Sequence, residues 1–125
     1  MEAVVKNIFP SEYPLEFIWG RSKCVYKRNS NIDESRYYDW NSTNHYHYVK
    51  PLKKLKRKGF RLERTLIVDD TPHKSQLNYG NAIYPKEYTG TLKDDELMSL
   101  LDYLMLLKDE PNVRIIEKRG WKSRV

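Results

Sequence analysis

An α/β fold built on a parallel sheet is predicted for this chain, and three observations predict it. Thr65-Leu66-Ile67-Val68 is a continuous apolar run of the kind buried on both faces of a parallel sheet, and it ends in Asp69-Asp70-Thr71-Pro72. Ala82-Ile83-Tyr84 is a second short strand, stopped by Pro85. After Thr91, which suits a helix cap, come Asp94, Asp95 and Glu96 as first-turn acids. Leu97, Leu100, Leu101, Leu104 and Leu107 follow as one helical face aimed at a core.

The other elements follow from local chemistry, in chain order. Glu2 to Phe9 places Ala3, Val4, Val5 and Ile8 at helical spacing before Pro10, so a short helix ends there. Alone it would be marginal in water, and it needs a sheet or helix to lie on. Leu15 to Gly20 has the aromatic and β-branched content of a strand closed by glycine. Residues 27–47 mix Asn29, Ser30, Asn31, Asn41, Ser42 and Asn44 with Tyr37, Tyr38, Trp40 and Tyr46, without a sustained period, as expected of a surface insertion. Pro51 then suits a first helical turn, Leu52 and Leu55 are three apart, and Gly59 stands where a C-terminal cap belongs, which makes a short basic helix. Val113-Arg114-Ile115-Ile116 is expected to be a last edge strand before the basic end Glu117 to Arg124.

Composition bounds the answer. A length of 125 residues suits one domain, and 39% hydrophobic with 13% aromatic residues is too much apolar material for a disordered tail. The single cysteine, Cys24, excludes a disulfide framework and a multi-cysteine zinc module, and fits a reducing, cytoplasmic setting. The longest apolar stretch is the five residues Tyr103 to Leu107, and no signal-peptide core opens the chain, so no membrane association is expected. The formal charge of +6 is local. Residues 50–64 hold eight cations against Glu63 alone, a charge of +7, which leaves −1 for the other 110 positions.

Asp69-Asp70 is the strongest candidate for chemistry, since ligands of open α/β sheets bind beyond the carboxyl ends of the strands. Magnesium is held through one or two carboxylates together with waters and phosphate oxygens. Asp-Asp-Thr-Pro is equally good turn chemistry. Lys50, at the start of a short helix, can neutralise a carboxylate and a phosphate, or be a solvated lysine. His45 and His47, two apart with Asp39 nearby, share a face if extended, and are metal ligands or plain surface histidines. His73 is a substrate contact or a loop residue. Cys24, flanked by Arg21 and Lys23, is an activated or a structural thiol. Ser11, Ser22 and Ser75 stand in no nucleophile-elbow pattern, so a serine hydrolase has no support.

Four stretches in order resemble the C-terminal half of the haloacid dehalogenase superfamily: Phe17 to Cys24, Val49-Lys50-Pro51-Leu52, Thr65 to Pro72, and Asn78-Tyr79-Gly80-Asn81-Ala82-Ile83. Asp94 to Leu97 and Asn112-Val113-Arg114 fit as well. The likeness is greatest to the branch of RNA polymerase C-terminal-domain phosphatases and NLI-interacting-factor-like proteins. It covers most of residues 1–24 and 48–122 and skips the insertion. It implies a Rossmann-like parallel sheet and magnesium-dependent hydrolysis of phosphate esters on a protein or small molecule through an aspartyl-phosphate. By resemblance Lys50 steadies the nucleophile and the phosphate, and Asp69 and Asp70 position Mg2+.

One departure is large. The family's first motif is an apolar strand ending in Asp-x-Asp-x-Thr, and none of the aspartates here, at 33, 39, 69, 70, 94, 95, 102 and 109, is separated from another by a single residue. The expectation is therefore a single partial domain over residues 1–125, Rossmann-like but incomplete at its N-terminal half, with the insertion at about 27–47. Such a domain is expected to be inactive alone, and either to become active when an upstream fragment supplies the missing strand or to be a non-functional remnant of a split or truncated gene. Without that strand, Thr65 to Val68 would expose unpaired backbone and apolar side chains. The competing reading is a binding module in which the 50–64 segment and the tyrosines before it contact nucleic acid or protein.

Overall fold

The computed structural model describes residues 2–28 and 46–125. Its core forms where α3, Glu96–Leu107, crosses the end of the chain. Ile83, Leu100, Tyr103, Leu107 and Trp121 are buried together, with Leu66, Leu104 and Ile116 packed against them. The Tyr103 and Trp121 rings lie 5.7 Å apart, and the Trp121 indole N–H donates to the Tyr84 carbonyl at 3.0 Å. Each large side chain so buried stabilises the fold by roughly 1.5 to 3 kcal/mol.

The stripe on α3 differs from the expected one. Glu96, Leu100, Tyr103 and Leu107 form the buried face, whereas Leu97 is 74% and Leu101 53% exposed. Thr91 does not cap the helix with its side chain; Asp94 Oδ1 accepts the Glu96 amide at 2.9 Å instead. The helix begins at Glu96, the last of the three acids, and Glu96 and Tyr103, rather than Leu97 and Leu101, share the core-facing side with Leu100 and Leu107.

The expected parallel sheet is present as a two-stranded pair. β3, Ile67–Val68, runs parallel to β4, Ala82–Ile83, with Ile67 opposite Ala82 and Val68 opposite Ile83. The Asp69 amide extends the ladder to the Ile83 carbonyl at 3.1 Å. Thr65 and Leu66 stay outside the strand, and Val68 is 42% exposed, so burial on both faces does not hold. Among the described residues β3 has a neighbour on one side only. A mixed helix-and-sheet α/β architecture follows.

Elsewhere α1, Glu2–Ile8, stops before Pro10 as expected, but it leaves Val4 and Ile8 exposed. Leu15 to Gly20 is not a strand: the Phe17 ring packs on Trp19 at 4.8 Å and on Phe60 at 5.7 Å, and ring contacts replace a ladder. The strand comes later, where β1, Val25–Arg28, pairs antiparallel with β2, Tyr46–Val49. The ends of the expected 27–47 insertion are therefore sheet, and residues 29–45 lie outside the described residues. The basic helix is α2, Lys53–Lys56, closed near Gly59 at φ +89°, a conformation that favours glycine.

Val113 to Ile116 is not an edge strand either; Val113–Ile115 is a 3-10 turn whose Asn112 side chain accepts the Arg114 amide at 3.0 Å. That turn buries Val113 and turns Ile115 outward. The basic end contributes a buried cation, Lys118. Its ammonium donates to the carbonyls of Gly80 at 2.7 Å, Val113 at 2.5 Å and Ile116 at 2.8 Å, which fastens the last turns beneath β4. Arg64 likewise donates to the Lys108 carbonyl at 2.7 Å and to that of Glu110, closing the carbonyl end of α3. No helix among the described residues is long and apolar enough to cross a membrane.

Candidate functional site

The carboxyl end of β3 delivers Asp69 to the rim of the sheet. Val49, fully buried at the end of β2, fixes the chain just before Lys50. The Lys50 amide donates to the Lys74 carbonyl at 2.8 Å. Buried Asn78 then clamps the turn from both sides: its amide nitrogen donates to the Lys50 carbonyl, and its Oδ1 accepts the Leu52 amide at 3.1 Å. With the backbone so held, the Lys50 ammonium meets Asp69 Oδ2 at 2.6 Å.

Asp69 is held by more than the ion pair. Ser75 Oγ donates to the same Oδ2 at 3.1 Å, and the Thr71 amide donates to Oδ1 at 3.0 Å, which is the turn chemistry of an aspartate two residues earlier. The Asp69 side chain is 4% exposed and that of Lys50 is 45% exposed, so a buried anion faces a cation half in water. Burial by itself pushes the Asp69 carboxyl up. The Lys50 ammonium, the Thr71 amide and the Ser75 hydroxyl outweigh it and hold the group below its ordinary value. The carboxylate is thus fixed in position, charged and oriented.

Asp70 differs. It is exposed, and among the described residues only its Oδ1 is engaged, accepting the Thr71 hydroxyl at 2.9 Å. Both aspartates and Lys50 line a cavity of about 620 Å³ whose far wall includes Asp94 and Glu96. Those two acids are committed elsewhere: Asp94 to the start of α3, and Glu96 to the Lys86 amide at 2.7 Å and the Lys122 ammonium at 2.7 Å. Lys122 and the Lys86 amide hold the Glu96 carboxyl below its ordinary value. The side of the cavity that can receive a phosphate or a cation is therefore the Lys50, Asp69 and Asp70 side.

Among the described residues no three His, Cys, Asp or Glu side chains gather as a metal cluster. A cation here would have at most two protein carboxylates and take its other ligands from water and phosphate, the coordination magnesium prefers. The donor set fits that ion.

Lys50 and Asp69 were both singled out in sequence, and they meet. The turn reading of Asp69-Asp70 is realised, since Thr71 donates to both carboxylates. Asp39 and His45 lie outside the described residues, and only the backbone of His47 is described, in β2. His73 is exposed and lines neither large cavity. Cys24 is partly buried at a second cavity of about 620 Å³ on the other side of Lys50. Ser75 and Asn78 were missed as site residues. The only signal was position: Asn78 opens the last of the four stretches, and Ser75 falls between the acidic pair and that stretch.

A family model described as NLI interacting factor-like phosphatase matches residues 1–114. No curated protein and no solved structure matches the chain. The matched span contains Lys50, Asp69, Asp70, Ser75 and Asn78, and with it come a haloacid-dehalogenase-like fold and phosphatase-type function in general terms. The chain belongs to the NLI interacting factor-like phosphatase family.

Proposed function

We propose that Lys50, Asp69 and Asp70 form half of a magnesium-dependent centre for hydrolysing phosphate esters, and that the attacking carboxylate is supplied by a segment outside these 125 residues. The observation that carries the proposal is the 2.6 Å contact of the Lys50 ammonium with Asp69, made at the carboxyl end of a parallel strand pair. Phosphoryl transfer depends mostly on positioning and on neutralising the charge of the phosphoryl oxygens. Lys50 has the exposure to touch both a phosphate and Asp69. Asp69, locked by Ser75 and Thr71, keeps the ammonium in place and stays ionised at neutral pH. Asp70 presents an open oxygen to the cavity. Magnesium, when bound, would shield the phosphate charge and fix its orientation, held by Asp69 and Asp70. Substrates are phosphorylated proteins or small molecules.

No Asp-x-Asp pair occurs in the sequence, so the domain is expected to be partial and silent by itself. Two arms test this. The purified chain with an aryl phosphate and magnesium should show no turnover above background; robust turnover that Asp70→Ala abolishes would overturn the missing-nucleophile reading. Adding an apolar peptide that ends in Asp-x-Asp-x-Thr should bring turnover that Lys50→Ala removes. A peptide that binds yet leaves the mixture inert would overturn the half-site itself.

A further inference from the structure

The second large cavity, on the far side of Lys50, has a chemistry the phosphatase reading does not use. Its walls carry the rings of Phe17, Trp19 and Tyr48 beside Arg21, Lys23 and Lys74, and among the described residues that line it none is acidic. The rings are grouped. Phe17 and Trp19 lie 4.8 Å apart with the Lys58 ammonium 5.2 Å from the first centroid and 5.9 Å from the second. Tyr48 stands opposite Tyr26 in the β1–β2 register, their rings 5.0 Å apart on the outer face, and the Arg21 guanidinium lies 5.1 Å from the Tyr48 centroid.

A run of cations is usually no more than a solvated face. Here its members divide by job. Lys50 pairs with Asp69, Arg64 closes α3, and Lys54 donates to the Lys23 carbonyl at 2.6 Å, which ties α2 to the wall of the cavity. Lys53, Lys56, Arg57 and Arg61 remain exposed in and just after α2, the segment whose Leu52 and Leu55 line the cavity, without an ion-pair partner among the described residues. Four such charges in the segment that borders a cavity walled by three rings suit a polyanion that alternates phosphates with flat apolar faces.

The geometry points to this groove as a binding site for single-stranded nucleic acid, with bases stacked on Trp19 and Tyr48 and phosphates met by Arg21, Lys58 and the exposed cations of α2. Base stacking on aromatic rings is tolerant of sequence, so binding should show little base preference. The site does not depend on magnesium or on a nucleophile, and loss of the phosphatase reading would leave it standing.

The test is fluorescence anisotropy of a labelled oligothymidylate of about twelve nucleotides with the full chain, across salt from about 50 to about 200 mM. Contacts of these six cations with phosphates release about four counterions and predict a loss of about 300-fold over that range. Tyr48→Ala should weaken binding about tenfold while Tyr48→Phe, which keeps the ring, leaves it unchanged. If Tyr48→Ala does not fold, the triple change Lys53→Gln, Lys56→Gln and Arg57→Gln on exposed α2 still decides the matter: the logarithmic salt slope should become shallower by about 2. The same-length duplex should bind more weakly, because its bases cannot reach the rings. No binding at the lowest salt, tighter binding of an acidic phosphopeptide of equal charge, or indifference to both sets of substitutions would overturn the proposal.

Discussion

Replacing Lys50 by methionine tests the energetic core of the site, because it keeps the apolar stem of the side chain and removes the ammonium with its charge and its hydrogen bond to Asp69. At 2.6 Å, screening between that of bulk water and that typical near a protein surface brackets the gross attraction between about 1.6 and about 6 kcal/mol. Lys50 is 45% exposed, so water already solvates part of the ammonium, and ordering its side chain has a cost. A net loss of about 1 to 2 kcal/mol at pH 7 is expected, in the range of a hydrogen bond to a charged group. The pH dependence separates this from a packing effect. With Lys50 present, the Asp69 carboxyl is held below its unfolded value, so its contribution is full above about pH 4 and is lost as the pH falls through the folded value. In Lys50→Met, burial is opposed only by Thr71 and Ser75, and the carboxyl rises. The gap between the two proteins should therefore be narrower near pH 3 than at about pH 6, where urea midpoints differ by about half to one molar. A gap of equal size at both pH values would refute the reasoning, since Asp69 would then not be coupled to Lys50.

Ser75→Ala removes a fully buried donor to Asp69 and should cost about 1 kcal/mol, and the Asp69 carboxyl, followed by its carbon resonance during acid titration, should titrate at higher pH than in the parent. Lys118→Met leaves three carbonyls beneath β4 without their donor and should cost about 3 kcal/mol or more in urea unfolding. Leu100→Ala should cost about 2 to 4 kcal/mol while Leu97→Ala, one turn earlier, stays within about 0.5 kcal/mol; equal effects would contradict the observed face of α3.

Elements whose cause is local were legible in the sequence. Pro10 and Gly59 end short helices by backbone chemistry, and Pro85 stops β4, so these boundaries could be read one segment at a time. Leu15 to Gly20 and Val113 to Ile116 have strand composition without strand structure, because pairing needs a partner that composition does not name. The first spends its rings on Phe60 and Lys58, and the second is bent by the Asn112 side chain. In the site, Lys50 and Asp69 stood out by residue type and place. Ser75 and Asn78 did not: Ser75 meets Asp69, six positions back, only once the turn after β3 has formed, and Asn78 clamps Lys50 and Leu52, 28 and 26 positions away, only in the folded chain.

The misplaced apolar stripe is itself informative. Leucines at 97, 100, 101, 104 and 107 fall on one arc of about 120° around the helix, yet Ile83 and Trp121 cover only one side of it, the one that includes Leu100 and Leu107. The other side carries exposed Leu97 and Leu101, and Leu97 joins Met98 and Val68 along the cavity that holds Asp69 and Asp70. There β3 has pairing on one side only among the described residues. An apolar lip and an unpaired strand edge at the same rim are what a further parallel strand needs: hydrogen bonds from the edge and a cover for its side chains. Under the proposed function, a strand seated on that edge would end beside Lys50, so the surface that looks like a defect of the core is the geometry that would place an attacking carboxylate against the ammonium.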